Sequence, residues 1–133
     1  MENQINEKVQ KFFSDEENLV NLLANASYSS PFFSFGVKKG TYDAYLNEDE
    51  NNDKDLCRED KWAKVLLRGG SIMLYDVEEE EEHVLDLHMI YVGATKLMEE
   101  HEKVMANIFE EEDDFYDNDA VIQYAIFGEW VYG

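Results

Sequence analysis

The sequence predicts a helix-rich α+β fold, a single domain in which helices pack a small antiparallel β-sheet. Two observations predict it. Residues 71–77 (SIMLYDV) and 83–87 (HVLDL) carry the β-rich pattern of two strands flanking five consecutive glutamates, which reads as a hairpin spanning about 71–87 with an acidic tip. Around that hairpin, most of the chain places its apolar residues at helical spacing. At 133 residues with a 44% hydrophobic share and no internal repeat, one core is expected, spanning 1–133.

Taken in order, Ile5, Val9, Phe12 and Phe13 follow the period of a first helix. Ser14 and Glu17 form a capping-box pattern that predicts a second helix, with Leu19, Val20, Leu22 and Leu23 on its buried face. Pro31 and two glycines interrupt the period, and Phe33, Phe35 and Val37 alternate as a short strand would. Residues 41–46 have room for one helical turn. Residues 47–55 (NEDENNDKD) have no apolar anchor and read as a mobile polar loop. Trp62, Ala63, Leu66 and Leu67 then mark a helix stopped by Gly69 and Gly70. After the hairpin, Asp86 is placed to cap a long helix running through Ile90, Leu97, Val104 and Met105. Asp117 or Asn118 is placed to cap a last helix through Val121, Ile122, Ala125 and Ile126, ended by Gly128.

Charge is the outlying property. The chain holds 31 acids against 11 bases, a formal net of -20. Residues 1–47 are near neutral at -2, whereas residues 48–133 carry -18. A halophilic protein is expected to spread its acids evenly, and this one does not. The acids beyond residue 47 fall in four groups, at 48–60, 76–86, 99–102 and 110–119, each beside an apolar segment and so held on a folded scaffold. Such a surface repels nucleic acid and anionic membrane and attracts proteins with basic grooves.

No stretch approaches the length of an apolar membrane span, and MENQINEK resembles neither a cationic nor an apolar leader. Cys57 stands alone, so no intrachain disulfide is expected and a reducing cytoplasm suits the chain.

Catalytic signatures are missing or incomplete. The Gly69-Gly70-Ser71 stretch lacks the lysine and spacing of a phosphate loop, and His101-Glu102 begins a zinc-protease pattern whose second histidine is replaced by Met105. The three histidines read as partners of nearby glutamates. Asp49, Asn51, Asp53 and Asp55 match the first oxygen positions of a calcium loop, but Lys54 occupies the glycine position and Asp60 replaces the bidentate glutamate. No enzyme activity, cofactor or dedicated metal is expected.

The expectation is therefore a binding protein. Duplex DNA carries one charge per ~1.7 Å, so twenty charges match about 34 Å of duplex. A compact chain of this length has a diameter of roughly 36 Å. Carboxylates fixed on a scaffold fit arginine forks that otherwise take phosphates. The candidate partner-binding residues are Asp76, Glu78, Glu79, Glu80, Glu81 and Glu82 on the hairpin, with Glu110, Glu111, Glu112, Asp113 and Asp114 before the last helix. Phe109, Phe115 and Tyr116 have two readings, as rings for stacking or as anchors of that loop.

The C-terminal half carries a resemblance. CREDKWAKVLLRGGSIMLYDVEEEEE, then HVLDLHMIYVGATKLMEE, then DNDAVIQYAIFGEWVYG is similar to a family of small acidic proteins of bacteriophages and mobile elements. Its pattern runs from Glu59-Asp60 through Leu66-Leu67-Arg68-Gly69-Gly70 and the acidic hairpin to a Q-x-A-x-F-G-E-x-V-Y-G tail, residues 123–133. The resemblance covers 56–133 and implies a setting, inside a host bacterial cell, rather than a chemistry. In size and charge the chain is also similar to DNA-mimicking antirestriction and anti-CRISPR proteins. The expected function is an anti-defence inhibitor in the basic groove of a host nuclease, a Cas effector or a restriction enzyme. The alternative is an accessory or adaptor protein that binds through its apolar and aromatic surface. The tail itself reads first as packing, with Trp130 and Tyr132 covering the sheet or lying against a second copy in a homodimer.

Overall fold

A computed structural model describes residues 4–133, the side chain of Ser29 apart. The elements run α1 (Glu7–Ser14), α2 (Glu16–Ser29), β1 (Phe33–Gly36), α3 (Thr41–Tyr45), α4 (Glu48–Asn52), α5 (Arg58–Leu67), β2 (Ser71–Asp76), β3 (Glu81–Asp86), α6 (Leu87–Glu100), α7 (Glu102–Phe109) and α8 (Phe115–Phe127). The α+β class holds: helices surround a three-stranded antiparallel sheet of order β1-β2-β3.

The sheet presents one face to the core. Alternation along β2 buries Ile72 and Leu74, and the register sets Phe35 opposite Leu74 on β1 and Leu85 opposite Ile72 on β3. Helices α2, α5 and α8 lie against this face, with Phe35 stacked on Trp62 at 5.8 Å and Phe33 against Phe127 at 5.9 Å. One apolar cluster takes Val9, Phe13 and Leu22 from the near-neutral part and Trp62, Leu97 and Val121 from the acidic part. The compositional boundary near residue 47 is therefore not a structural one.

The helices depart from the expected boundaries in four places. Asp15, not Ser14, caps α2, accepting from Asn18 N at 3.2 Å. Ser14 ends α1 and shares a 2.6 Å hydrogen bond with the Tyr91 hydroxyl on α6. The segment expected as a polar loop forms α4, closed by a capping box between Asn47 and Glu50. The single long helix expected after Asp86 is two. Asp86 caps α6 as expected, through Met89 N at 2.9 Å, but the chain breaks at His101 and restarts as α7. Finally, α8 is capped by Asp114, upstream of both expected residues.

Close approach fixes how α6 meets α8. A Cβ on Gly93 would stand 2.4 Å from Ala125 N, so the two backbones touch where only glycine fits. Gly128 ends α8 in the left-handed conformation at φ 74, as the sequence predicts.

Candidate interaction surface

The hairpin is the most acidic exposed element. Glu78, Glu79 and Glu80 form its turn, while Glu81 and Glu82 open β3, and all five side chains are exposed. Glu80 takes the left-handed conformation at φ 56, which folds the chain back into β3.

Asp76 belongs to a different layer. It shares the inward parity of Ile72 and Leu74 and is 0% exposed, so it is not part of the presented surface. This corrects its expected role as a contact residue. Its Oδ1 accepts from the backbone of Glu78 at 2.9 Å and Glu79 at 3.1 Å, and its Oδ2 from the Tyr132 hydroxyl at 2.7 Å. Burial works to raise the Asp76 pKa, but the Tyr132 hydroxyl, the two amides and the nearby His83 outweigh it and hold the group below its ordinary value. Asp76 is thus the internal post that holds two of the turn's glutamates in place.

The tail completes this arrangement. Gln123, fully buried on α8, accepts at Oε1 from Val131 N (2.9 Å) and Tyr132 N (2.7 Å). Its Nε2 donates to Tyr132 O (3.1 Å) and to Asp119 Oδ2 (2.8 Å). The Tyr132 ring stacks on Phe32 at 4.9 Å. Burial, then the Asp76 carboxylate, pushes the Tyr132 pKa up. The Q-x-A-x-F-G-E-x-V-Y-G tail therefore acts in packing: Gln123 clamps the returning chain, Ala125 meets Gly93, Gly128 turns the backbone, and Tyr132 reaches the hairpin.

The second acidic group is partly absorbed by the start of α8. Asp114 accepts from Asp117 N at 3.0 Å, and Asp117 Oδ2 accepts from Asp114 N at 3.2 Å. Asp113 accepts from Asn118, a buried amide that also donates to Asp114 O at 2.8 Å. Of the five residues expected to present charge here, Glu110, Glu111 and Glu112 are exposed and take no side-chain hydrogen bond among the described residues. Phe109 is an anchor, edge-on to Phe12 at 5.2 Å beneath Lys8, and Phe115 lies against Tyr116 at 4.0 Å. Tyr116 is the exposed ring of the three.

The two acidic groups do not share one patch. The 110–112 loop precedes the first turn of α8, whereas the hairpin joins its last, with His83 edge-on to Phe127 at 5.4 Å. The thirteen residues of α8 separate the groups by on the order of 20 Å. The hairpin end gathers other carboxylates. Glu100 accepts from the Tyr124 hydroxyl at 2.8 Å, and burial, then Glu100 and Glu129, push that phenol up to about 12.

The ion pairs among the described residues lie elsewhere. On α5, Lys64 pairs with Glu16 (3.2 Å) and Glu50 (3.8 Å), and Arg68 with Glu50 (2.7 Å), while Arg58 lies over the Trp62 ring. Among the described residues the other ion pair is Lys96–Glu100, so none of glutamates 78–82 or 110–112 is neutralised by a base. The histidines also depart from expectation, forming no ion pair with glutamate among the described residues. His101 packs edge-on to Trp130 at 5.2 Å, and the His83 Nε2 is enclosed without a hydrogen-bond partner there.

Two of the four calcium-loop candidates are helical, and the other two lie at and beyond the end of that helix. Asp49 and Asn51 lie within α4, Asn51 donates to Asp43 at 3.0 Å, and Asp53 bonds Asp55 N at 2.9 Å. Among the described residues no group of three or more acidic, histidine or cysteine side chains is placed to hold a metal. No helix there is long and apolar enough to cross a membrane.

The fold and site thus define a small α+β protein whose acidic hairpin is braced from inside. No family model matches the chain, and no curated protein or solved structure matches it.

Proposed function

We propose that this protein is a stoichiometric inhibitor, encoded by a bacteriophage or mobile element, that occupies the nucleic-acid groove of a host defence nuclease. A Cas effector is the first choice of target and a restriction enzyme the second. It works in the host cytoplasm, catalyses no reaction and binds neither nucleic acid nor membrane directly. Glutamates 78–82 stand where phosphates bind, with Glu110, Glu111 and Glu112 as a separate contact on the order of 20 Å away. The resemblance of residues 56–133 to acidic mobile-element proteins supplies the setting.

One observation carries the reading. Five consecutive exposed glutamates sit on a turn braced by a buried aspartate, with no base paired to any of them among the described residues. A backbone held this way fixes where the turn presents its carboxylates, and with no base paired to them their charge stays available to an arginine fork. The competing adaptor reading draws less support from the tail, because the Tyr132 ring is stacked and its hydroxyl committed to Asp76.

A cleavage-protection assay tests the proposal on a panel of Cas effectors and restriction enzymes. The expected result is protection of one target class at near-equimolar inhibitor, falling steeply with salt. Protection of no member would sink it.

A further inference from the structure

The sheet carries its helices on one face only. On the other face the register aligns Met73 with Val84 and Tyr75 with Glu82, while Ser34 and Gly36 occupy the outward positions of β1. Tyr75 (39% exposed) and Val84 (46%) lie on this face, and Val77 (45%) follows at the turn. The small outward residues of β1 leave a shallow depression of about 320 Å³ between Lys38, Met73, Tyr75 and Glu82.

We propose that this outer sheet face docks a cationic amphipathic helix of the target protein. The inference rests on the reading of the protein as a binder of a basic partner, and adds where affinity beyond charge resides. Three strands spaced ~4.8 Å, two of six residues and β1 of four, form a platform about 10 Å across and about 20 Å long at its longest, the footprint of one helix. An uncovered sheet face with an apolar centre is completed by a second helical layer. The rim favours a cationic partner by number: Glu82 lies within the face and Glu78, Glu79 and Glu80 crown it, none paired with a base among the described residues, against Lys38 at the edge of the depression. A second copy of this chain would bring the same glutamates together at a net charge of -20 each, which disfavours self-docking. An apolar centre inside a charged rim is also where binding energy concentrates in protein interfaces.

The test uses a leucine–lysine peptide with leucine at helical spacing, and a scrambled isomer of identical composition and charge. The intact protein is expected to bind the amphipathic peptide about tenfold or more tightly than the isomer, a difference of roughly 1.4 kcal/mol. Tyr75→Thr with Val84→Thr keeps strand-forming residues at exposed sites and should reduce that binding to the level of the isomer. If the double variant melts lower than wild type, Val84→Thr alone carries the comparison. Equal binding of the two peptides, or unchanged binding by the Thr variants, overturns the inference. So does a dimer in sedimentation that these substitutions abolish, since the face then belongs to a second copy. Failure of every nuclease in the panel, with peptide discrimination intact, would remove the proposed target class and leave the docking face standing.

Discussion

Asp76 shows how one carboxylate of 31 takes a different role through strand parity alone. Residues 72, 74 and 76 point to the core, so the acid that ends β2 is buried while the glutamates of the turn beyond it are not. The alternation of SIMLYD carries that parity, although the expectation set Asp76 on the presented surface with the glutamates. The partner was not legible: Tyr132 lies 56 residues away, and no local pattern announces the contact. Its folded pKa is depressed, so its stabilising contribution is present above the unfolded value near ~3.9 and is lost as pH falls through the folded value. Glu50, held at about 2 by Arg68 and the Asn47 amide, works in the same direction. Acidification below about pH 4 should therefore release the tail, seen as faster hydrogen exchange at Val131 and Tyr132. Exchange insensitive to pH in that window, after correction for its intrinsic rate, would contradict the Asp76 post.

Asp119 behaves oppositely. Burial pushes its pKa up despite Ser30 and Gln123, and its Oδ1 has no hydrogen-bond partner among the described residues. Its contribution is present below the unfolded value and is lost as pH rises through the folded one. Asp119→Asn is expected to raise the melting temperature at pH 7 and to give a smaller gain at pH 4; a lower melting temperature at pH 7 would count against this. Gln123→Ala removes four hydrogen bonds from a buried amide and exposes their partners to an apolar hole. A loss of about 3 kcal/mol, with carboxypeptidase trimming the tail, is expected in denaturant titration.

At the scale of elements, part of the capping and turn chemistry is legible locally. The Asp86 cap, the Gly128 stop and the acidic hairpin all stand as expected. The Asp15 cap of α2 is a local signal one residue from Ser14, whereas the break after α6 and the anchoring of α4 have tertiary causes. No glycine or proline marks the break between α6 and α7, and His101 is held there by Trp130 and Tyr124. Helix α4 lacks an apolar residue, and its anchor is the Glu50–Arg68 pair across 18 residues of chain. At α8, five consecutive acids at 110–114 and then Asp117 offered several caps, and the geometry chose Asp114. The α6–α8 contact depends on absent atoms: Gly93→Ala should cost about 2–3 kcal/mol by overpacking against Ala125, measurable as a lower denaturation midpoint. An unchanged midpoint would mean the helices separate freely.

For the whole molecule, charge and fold are in tension. The acids paired with bases among the described residues are Glu16, Glu50 and Glu100, leaving the glutamates of the hairpin and the 110–112 loop to repel each other and the rest of the chain. Screening should relieve this, so the melting temperature should rise with added salt over the range that shortens the Debye length from about 30 to about 8 Å. A fall would show that the α5 pairs outweigh the repulsion. The overall charge was plain in the sequence, as was the division into four groups. Their placement at opposite ends of α8 was not, because sequence proximity says nothing about which helix end meets which hairpin.

Displacement of labelled duplex from a nuclease of the panel, by wild type and by a variant with glutamates 78–82 changed to glutamine, tests the central claim most directly. The expected result is stoichiometric release by wild type, weakened by salt, and a loss of at least about a hundredfold in the variant, with its fold intact. Equal displacement by both proteins, or release that ignores salt, would contradict an acidic hairpin acting in place of phosphates.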